Sequence, residues 1–219
     1  MIKVIVFDFD DTLVPSEHIK QTGFVDIFSS IPKAAPVVKD YLDKNFGNSR
    51  HKTILDILSR LKEKRIINFE VTDDVIGDFV NKFGRLVDYN IAKEREVGGA
   101  GEVLKTLSKR FILSLNSNTP KDSLEWIIRK RGWKVFFKGI YGSPPGTKLD
   151  NLKDVIKQFK VVPSEVVVVG DGESDMQSAR AVGALFVGVS GEYSWWLQER
   201  KDFVVANNLK EILKLVLLS

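Results

Sequence analysis

The stretch VIVFDFDDTLV, Val4 to Val14, sets an apolar run against three aspartates, Asp8, Asp10 and Asp11. An unbroken run of β-branched and aromatic residues reads as a strand covered on both faces. Carboxylates gathered at the end of such a strand repel one another unless a cation or a reaction makes use of them.

Downstream of Val97 the same kind of strand recurs between helical stretches. FILSLN (111–116), GIYG (139–142), VVVVG (166–170), LFVGV (185–189) and FVV (203–205) read as strands. Helical patterning covers 120–132, with Pro120 in its first turn and Gly132 past its end, and also 148–159, 174–182 and 209–218. Apolar strands alternating with helices specify an α/β fold, a Rossmann-like doubly wound parallel sheet. Between Val14 and Val97 only helical periodicity is found, most clearly in 51–65 and 74–93, with two further helices in EHIKQTGFVDIFSSI and PVVKDYLDKNF. The expected division is therefore a core of 1–15 and 96–219, interrupted by a helical domain over 16–95. VGGAG (97–101) reads as the returning loop.

The composition narrows the function. The 219 residues contain no cysteine, which excludes disulfides, thiolate-bound zinc and thiol nucleophiles. Lys and Arg number 33 against 29 Asp and Glu, and the basic runs are short and lie on helices, so no nucleic-acid partner is expected. The chain carries no signal-peptide layout and no apolar run of membrane-spanning length, so the expectation is a cytoplasmic protein with no membrane partner. Oligomeric state is not legible.

In an open parallel sheet, ligands bind beyond the carboxyl ends of the strands. Those ends carry Asp8, Asp10 and Thr12, then Ser117, Asn118 and Thr119, then Lys148 behind SPPGT, then Asp171 and Asp175 in GDGESD. An oxygen-rich set of this kind suits Mg²⁺, which takes a few carboxylates and completes its shell with water and phosphate. Taken singly, each residue has a plainer reading. Asp11 fits a turn, Ser117 or Thr119 fits the N-cap of the helix opening at Pro120, and Lys148 fits a solvated helix start.

In order and context, DFDDT, Ser117, Lys148 and GDGESD resemble the four motifs of the haloacid dehalogenase-like (HAD) hydrolase superfamily. The helical insertion sits where the phosphoglycolate phosphatase and β-phosphoglucomutase type of member carries a helical cap. The resemblance implies a Mg²⁺-dependent phosphatase acting on a small phosphorylated metabolite. Asp8 would be the nucleophile that forms an aspartyl-phosphate, and Asp10 the acid and base. The metal would be held by Asp8, the main-chain carbonyl of Asp10 and Asp171, with Asp175 supporting metal-bound water or Lys148. Ser117, Asn118 and Lys148 would bind the phosphoryl group, and Thr12 would support the nucleophile loop. Arg50 is a candidate cap residue for an anionic leaving group, its alternative being an exposed arginine before a helix. The wider alternatives are a phosphomutase and a binding or regulatory protein without turnover. Two choices lie within the motifs: Ser117 rather than Ser114, and Lys148 rather than Lys138. Pro15 replaces the aspartate common in capped members. Tyr193, Trp195 and Trp196 follow LFVGV and either line the rim or pack.

Overall fold

The apolar run at the N-terminus forms β1 (Val4–Phe7), all four residues of which are buried. In the computed structural model, which describes residues 1–45, 48–190 and 203–217, β1 lies inside a six-stranded sheet. It pairs in parallel with β2 (Ile112–Ser117) on one side and β4 (Val166–Gly170) on the other. The sheet continues outward through β3 (Phe137–Gly142), β5 (Leu185–Val189) and β6 (Val204–Ala206), in the order β3-β2-β1-β4-β5-β6. The strand order reverses between β1 and β4, which is where an open α/β sheet forms its ligand crevice. Phe7 is level with both Leu115 and Val169, so the three central strands deliver their following residues to one rim.

Helices cover the sheet because parallel strands leave apolar side chains on both faces. Val4, Val6, Val166 and Val168 form one core with Leu152 and Val155 of α7 (Lys148–Phe159) and with Met176 and Ala179 of α8 (Glu173–Val182). The remaining helices of this part are α5 (Ala100–Leu107), α6 (Lys121–Lys130) and α9 (Leu209–Leu217). No helix among the described residues is long and apolar enough to cross a membrane.

The chain divides into two compact units, one of Met1–Pro15 with Ala92–Ser219 and one of Ser16–Ile91. The second unit is helical: α1 (Glu17–Phe28), α2 (Ala35–Leu42), α3 (Arg50–Glu63) and most of α4 (Asp73–Lys93). Its core includes stacked pairs Phe24–Phe83 and Phe28–Phe79, with ring centroids 4.1 and 4.9 Å apart.

Two elements differ from the sequence expectation. The VGGAG stretch is a loop only as far as Gly99, whose φ of 79° is left-handed, and α5 starts at Ala100. Adjacent glycines cost a helix about 1 kcal/mol each, and they mask this start. Burial of Ala100, Val103, Leu104 and Leu107 outweighs that signal, as does Glu96, whose carboxylate accepts from the Gly101 N–H at 3.1 Å. Likewise β3 starts at Phe137, behind a short 3-10 turn over Trp133–Phe136 that local patterning does not reveal.

Candidate active site

The site grows from the end of β1. The Asp8 N–H donates to the Val169 carbonyl at 2.8 Å, continuing the sheet ladder one residue past the strand. The chain then turns back: the Leu13 N–H donates to the Phe9 carbonyl, and the Asp11 N–H to the Val14 carbonyl. Asp11 takes a φ of 55° in this turn, a left-handed conformation that aspartate tolerates better than most residues. It is therefore the turn residue, while Asp8 is buried at the strand end.

Helix α7 brings Lys148 to Asp8. Thr147 accepts from the Asp150 N–H and Asp150 accepts from the Thr147 N–H, a capping box that fixes the helix start. Asn116, buried in β2, donates to the Lys148 carbonyl at 2.8 Å and accepts from Asn151 at 3.1 Å, tying that start to the sheet. The lysine is only 6% exposed. Its Nζ lies 2.8 and 2.9 Å from the two oxygens of Asp175 and 3.0 Å from Asp8 Oδ1. Asp175, in the first turn of α8, packs against the end of β4. A Cβ on Gly170 would stand 2.5 Å from its Cγ, so only glycine admits the carboxyl there.

Asp171 follows β4 and completes the cluster. Oxygens of Asp8, Asp171 and Asp175 lie within 4.8 Å of one another. Thr12, buried, donates from Oγ1 to Asp171 Oδ1 at 2.8 Å. Three carboxyls thus share one ammonium in a buried pocket, and their proton affinities reflect it. Burial and the charges of Asp8 and Asp175 push Asp171 up to about 8, with Thr12 and Lys148 opposing. Burial likewise pushes Asp175 up to about 7 against the lysine, and raises Asp8 above the ordinary carboxylate range. For Lys148, burial favours the neutral amine, but the charges of Asp175 and Asp8 outweigh it and hold the ammonium. A pocket short of positive charge, lined by carboxylate oxygens, fits a hard divalent cation.

Asp10 faces a different set of partners. Its Oδ2 accepts from Ser117 Oγ at 2.9 Å and from Thr119 Oγ1 at 2.8 Å. Neither hydroxyl caps α6, whose first turn has no side-chain cap. Ser117, not Ser114, therefore touches the aspartate loop, and Ser114 Oγ is buried in mid-strand without a hydrogen-bond partner. Lys138 is exposed on β3, whereas Lys148 is buried against Asp8. Asn118 is exposed between the two hydroxyl residues.

Arg50 belongs to the helical unit. Its guanidinium pairs with Asp88 at 3.1 Å and stands 5.4 Å from the ring centroid of Phe83, at the N-terminus of α3. Tyr193, Trp195 and Trp196 lie outside the described residues. Sequence reasoning names Thr119 only as a strand-end residue or a helix cap, and does not single out Asn116. The signal for both was polar side chains inside an otherwise apolar strand and its end.

A doubly wound parallel sheet with acidic groups, a buried lysine and hydroxyls at its switch point is an α/β architecture whose side chains suit an anion beside a cation. Comparison with known proteins narrows this. The family model of the haloacid dehalogenase-like hydrolases matches residues 2–183, and the chain belongs to that family. It is similar to a phosphoglycolate phosphatase of Vibrio vulnificus, at 25% identity over 100% of this chain and 97% of the relative. It is also similar to a glyceraldehyde 3-phosphate phosphatase of Pyrococcus furiosus, at 29% identity over 97% of this chain and 93% of the relative. Its fold is shared by the crystal structure of a predicted phosphoglycolate phosphatase from Haemophilus somnus, with a TM-score of 0.78 and 22% identity, covering 98% and 97% of the two chains.

Proposed function

We propose that the chain is a Mg²⁺-dependent phosphatase that hydrolyses small phosphate monoesters through an aspartyl-phosphate on Asp8. The observation that carries this reading is the Lys148 ammonium, buried between Asp8 and Asp175 with the Asp171 carboxyl close by. Esters of two- and three-carbon acids and aldehydes are the favoured substrates, after the activities by which the two curated relatives are named. Such esters are charged and stay where they are made, so the reading carries a cytoplasmic setting.

Each residue has a part in it. An Asp8 oxygen attacks phosphorus while the ester oxygen leaves with a proton from Asp10. Water then attacks the acyl phosphate, giving its proton to Asp10, and inorganic phosphate departs as Asp8 is restored. Lys148 and Ser117 hold phosphoryl oxygens whose charge grows in both steps. Asp8, Asp171 and the Asp10 carbonyl would hold Mg²⁺, with Asp175 fixing Lys148 beside them. Held there, Mg²⁺ would supply positive charge to offset that of the phosphoryl group as the anionic Asp8 approaches an anionic ester. The helical unit Ser16–Ile91 serves as the cap that selects the leaving group, with Arg50 among its candidate contacts.

The test is Asp8→Asn. This variant should keep the wild-type melting temperature within a few degrees and lose Mg²⁺-dependent release of inorganic phosphate across a panel that includes 2-phosphoglycolate. Full activity in the variant would sink the nucleophile assignment.

A further inference from the structure

Thr119 has no part in the phosphoryl-transfer scheme above, yet it is buried, 3% exposed, and aimed at the Asp10 carboxylate. Its backbone is fixed from two sides. The Thr119 N–H donates to Ser117 Oγ at 3.0 Å, and its carbonyl accepts from the Ser143 N–H at 3.2 Å. Gly142, at the end of β3, makes the second contact possible, since a Cβ there would stand 2.5 Å from the Thr119 oxygen. The hydroxyl is thus delivered to Asp10 from a rigid support.

Resting on the phosphatase reading, we propose that Thr119 is a positioning residue of the acid–base Asp10, holding its carboxyl while Ser117 turns to the phosphoryl group. Hydrogen counting separates the two hydroxyls. A serine hydroxyl has a single hydrogen to donate. Here Ser117 gives it to Asp10 Oδ2 at 2.9 Å, and a bound phosphoryl oxygen claims that same hydrogen. The Thr119 hydroxyl, 2.8 Å from the same carboxylate oxygen, has no such competing claim and retains its bond through the exchange. A carboxyl that must aim at the leaving oxygen, and later at water, works only if its rotamer is held.

The experiment uses Thr119→Val, which keeps shape and removes the hydroxyl, and Thr119→Ser, which returns it. kcat/KM is measured on an alkyl phosphate such as 2-phosphoglycolate and on p-nitrophenyl phosphate, whose leaving group needs little protonation. Acid catalysis contributes about 10²–10⁴-fold, and mispositioning forfeits part of it. Thr119→Val should therefore lose about ten- to a hundredfold on the alkyl ester, mainly in kcat, and markedly less on the aryl ester. Thr119→Ser should recover most of the loss. Equal losses on both esters, a change confined to KM, or no loss on the alkyl ester would overturn the assignment. If the wild type hydrolyses neither ester, the phosphatase reading itself has failed. The Thr119 contact is then judged by a crystal structure of Thr119→Val: a displaced Asp10 carboxyl supports it, and an unmoved one refutes it.

Discussion

Replacing Lys148 by Met removes one charge and little volume, and the structure dictates a pH-dependent outcome. The ammonium contacts Asp175 at 2.8 Å and Asp8 at 3.0 Å, with side-chain exposures of 6% for the lysine and for Asp8 and 1% for Asp175. At an effective dielectric of about 20, each such contact is worth on the order of 5 kcal/mol. Stripping one partner from a buried ion pair costs about 3–5 kcal/mol in practice, because the orphaned charges find another escape. Here the escape is protonation, since Asp171 and Asp175 already sit near 8 and 7. A carboxyl whose folded value lies above its unfolded one binds its proton more tightly when folded. Its stabilising contribution is complete below the unfolded value and is lost as pH rises through the folded value. Without the lysine those folded values climb further, so the variant is penalised most at high pH. At roughly 2–4 °C per kcal/mol for a chain of this size, the melting temperature at pH 8 should fall by about 10 °C, and by distinctly less at pH 6. Mg²⁺ should restore more stability to the variant than it adds to the wild type, because it supplies the missing positive charge. On the proposed mechanism, phosphatase activity should drop by about 10²–10³-fold, since a hydrogen-bond donor to the phosphoryl oxygens is lost. Thermal melts at pH 6 and 8, with and without Mg²⁺, check this. A variant as stable as wild type at pH 8, or one more damaged at pH 6, refutes the electrostatic account.

Two further outcomes are expected. Gly170→Ala puts a methyl group 2.5 Å from the Asp175 carboxyl carbon, so it should cost about 1–3 kcal/mol and displace the partner of Lys148. Chemical denaturation and phosphate release should both register the change, and wild-type values in both would contradict the packing argument. In the wild type, the Asp171 proton, held up to about 8 by burial, must leave before its oxygen binds a cation. The melting-temperature gain from saturating Mg²⁺ should therefore grow between pH 6 and 8, and a gain independent of pH would refute it.

Much of the fold is legible because the relevant signals are local. β1 and β4 are unbroken apolar runs, and α7 is bracketed by Thr147 with Asp150 at one end and Phe159 at the other. α5 is not legible, since its start lies behind two glycines and its stability comes from buried contacts rather than from propensity. The residue types at the strand ends are equally local. Which of them touch is not, because the contacts join distant positions: Asn116 holds the carbonyl of Lys148, 32 residues on, and Thr119 reaches back 109 residues to Asp10. A threonine before a proline-started helix looks like a cap. Only the sheet register, which sets β2 beside β1, turns its hydroxyl toward a carboxylate.

That register also resolves the crowding of the first strand's aspartates. Asp8, Asp10 and Asp11 lie within four positions, yet the chain sends each to a different solvent. Asp8 points to an ammonium and two other carboxyls in a buried pocket, where its charge is costly and a cation relieves it. Asp10 accepts hydrogen bonds from two neutral hydroxyls, Ser117 and Thr119, which orient its carboxyl. Asp11 spends its conformational tolerance on the turn that separates the other two. In the proposed roles, Asp8 as nucleophile needs its charge balanced by cations, and Asp10 as acid and base needs its carboxyl oriented toward the proton it exchanges. On the proposed mechanism, exchanging these environments would disable both, which makes the turn at Asp11 as much a part of that chemistry as the residues it separates.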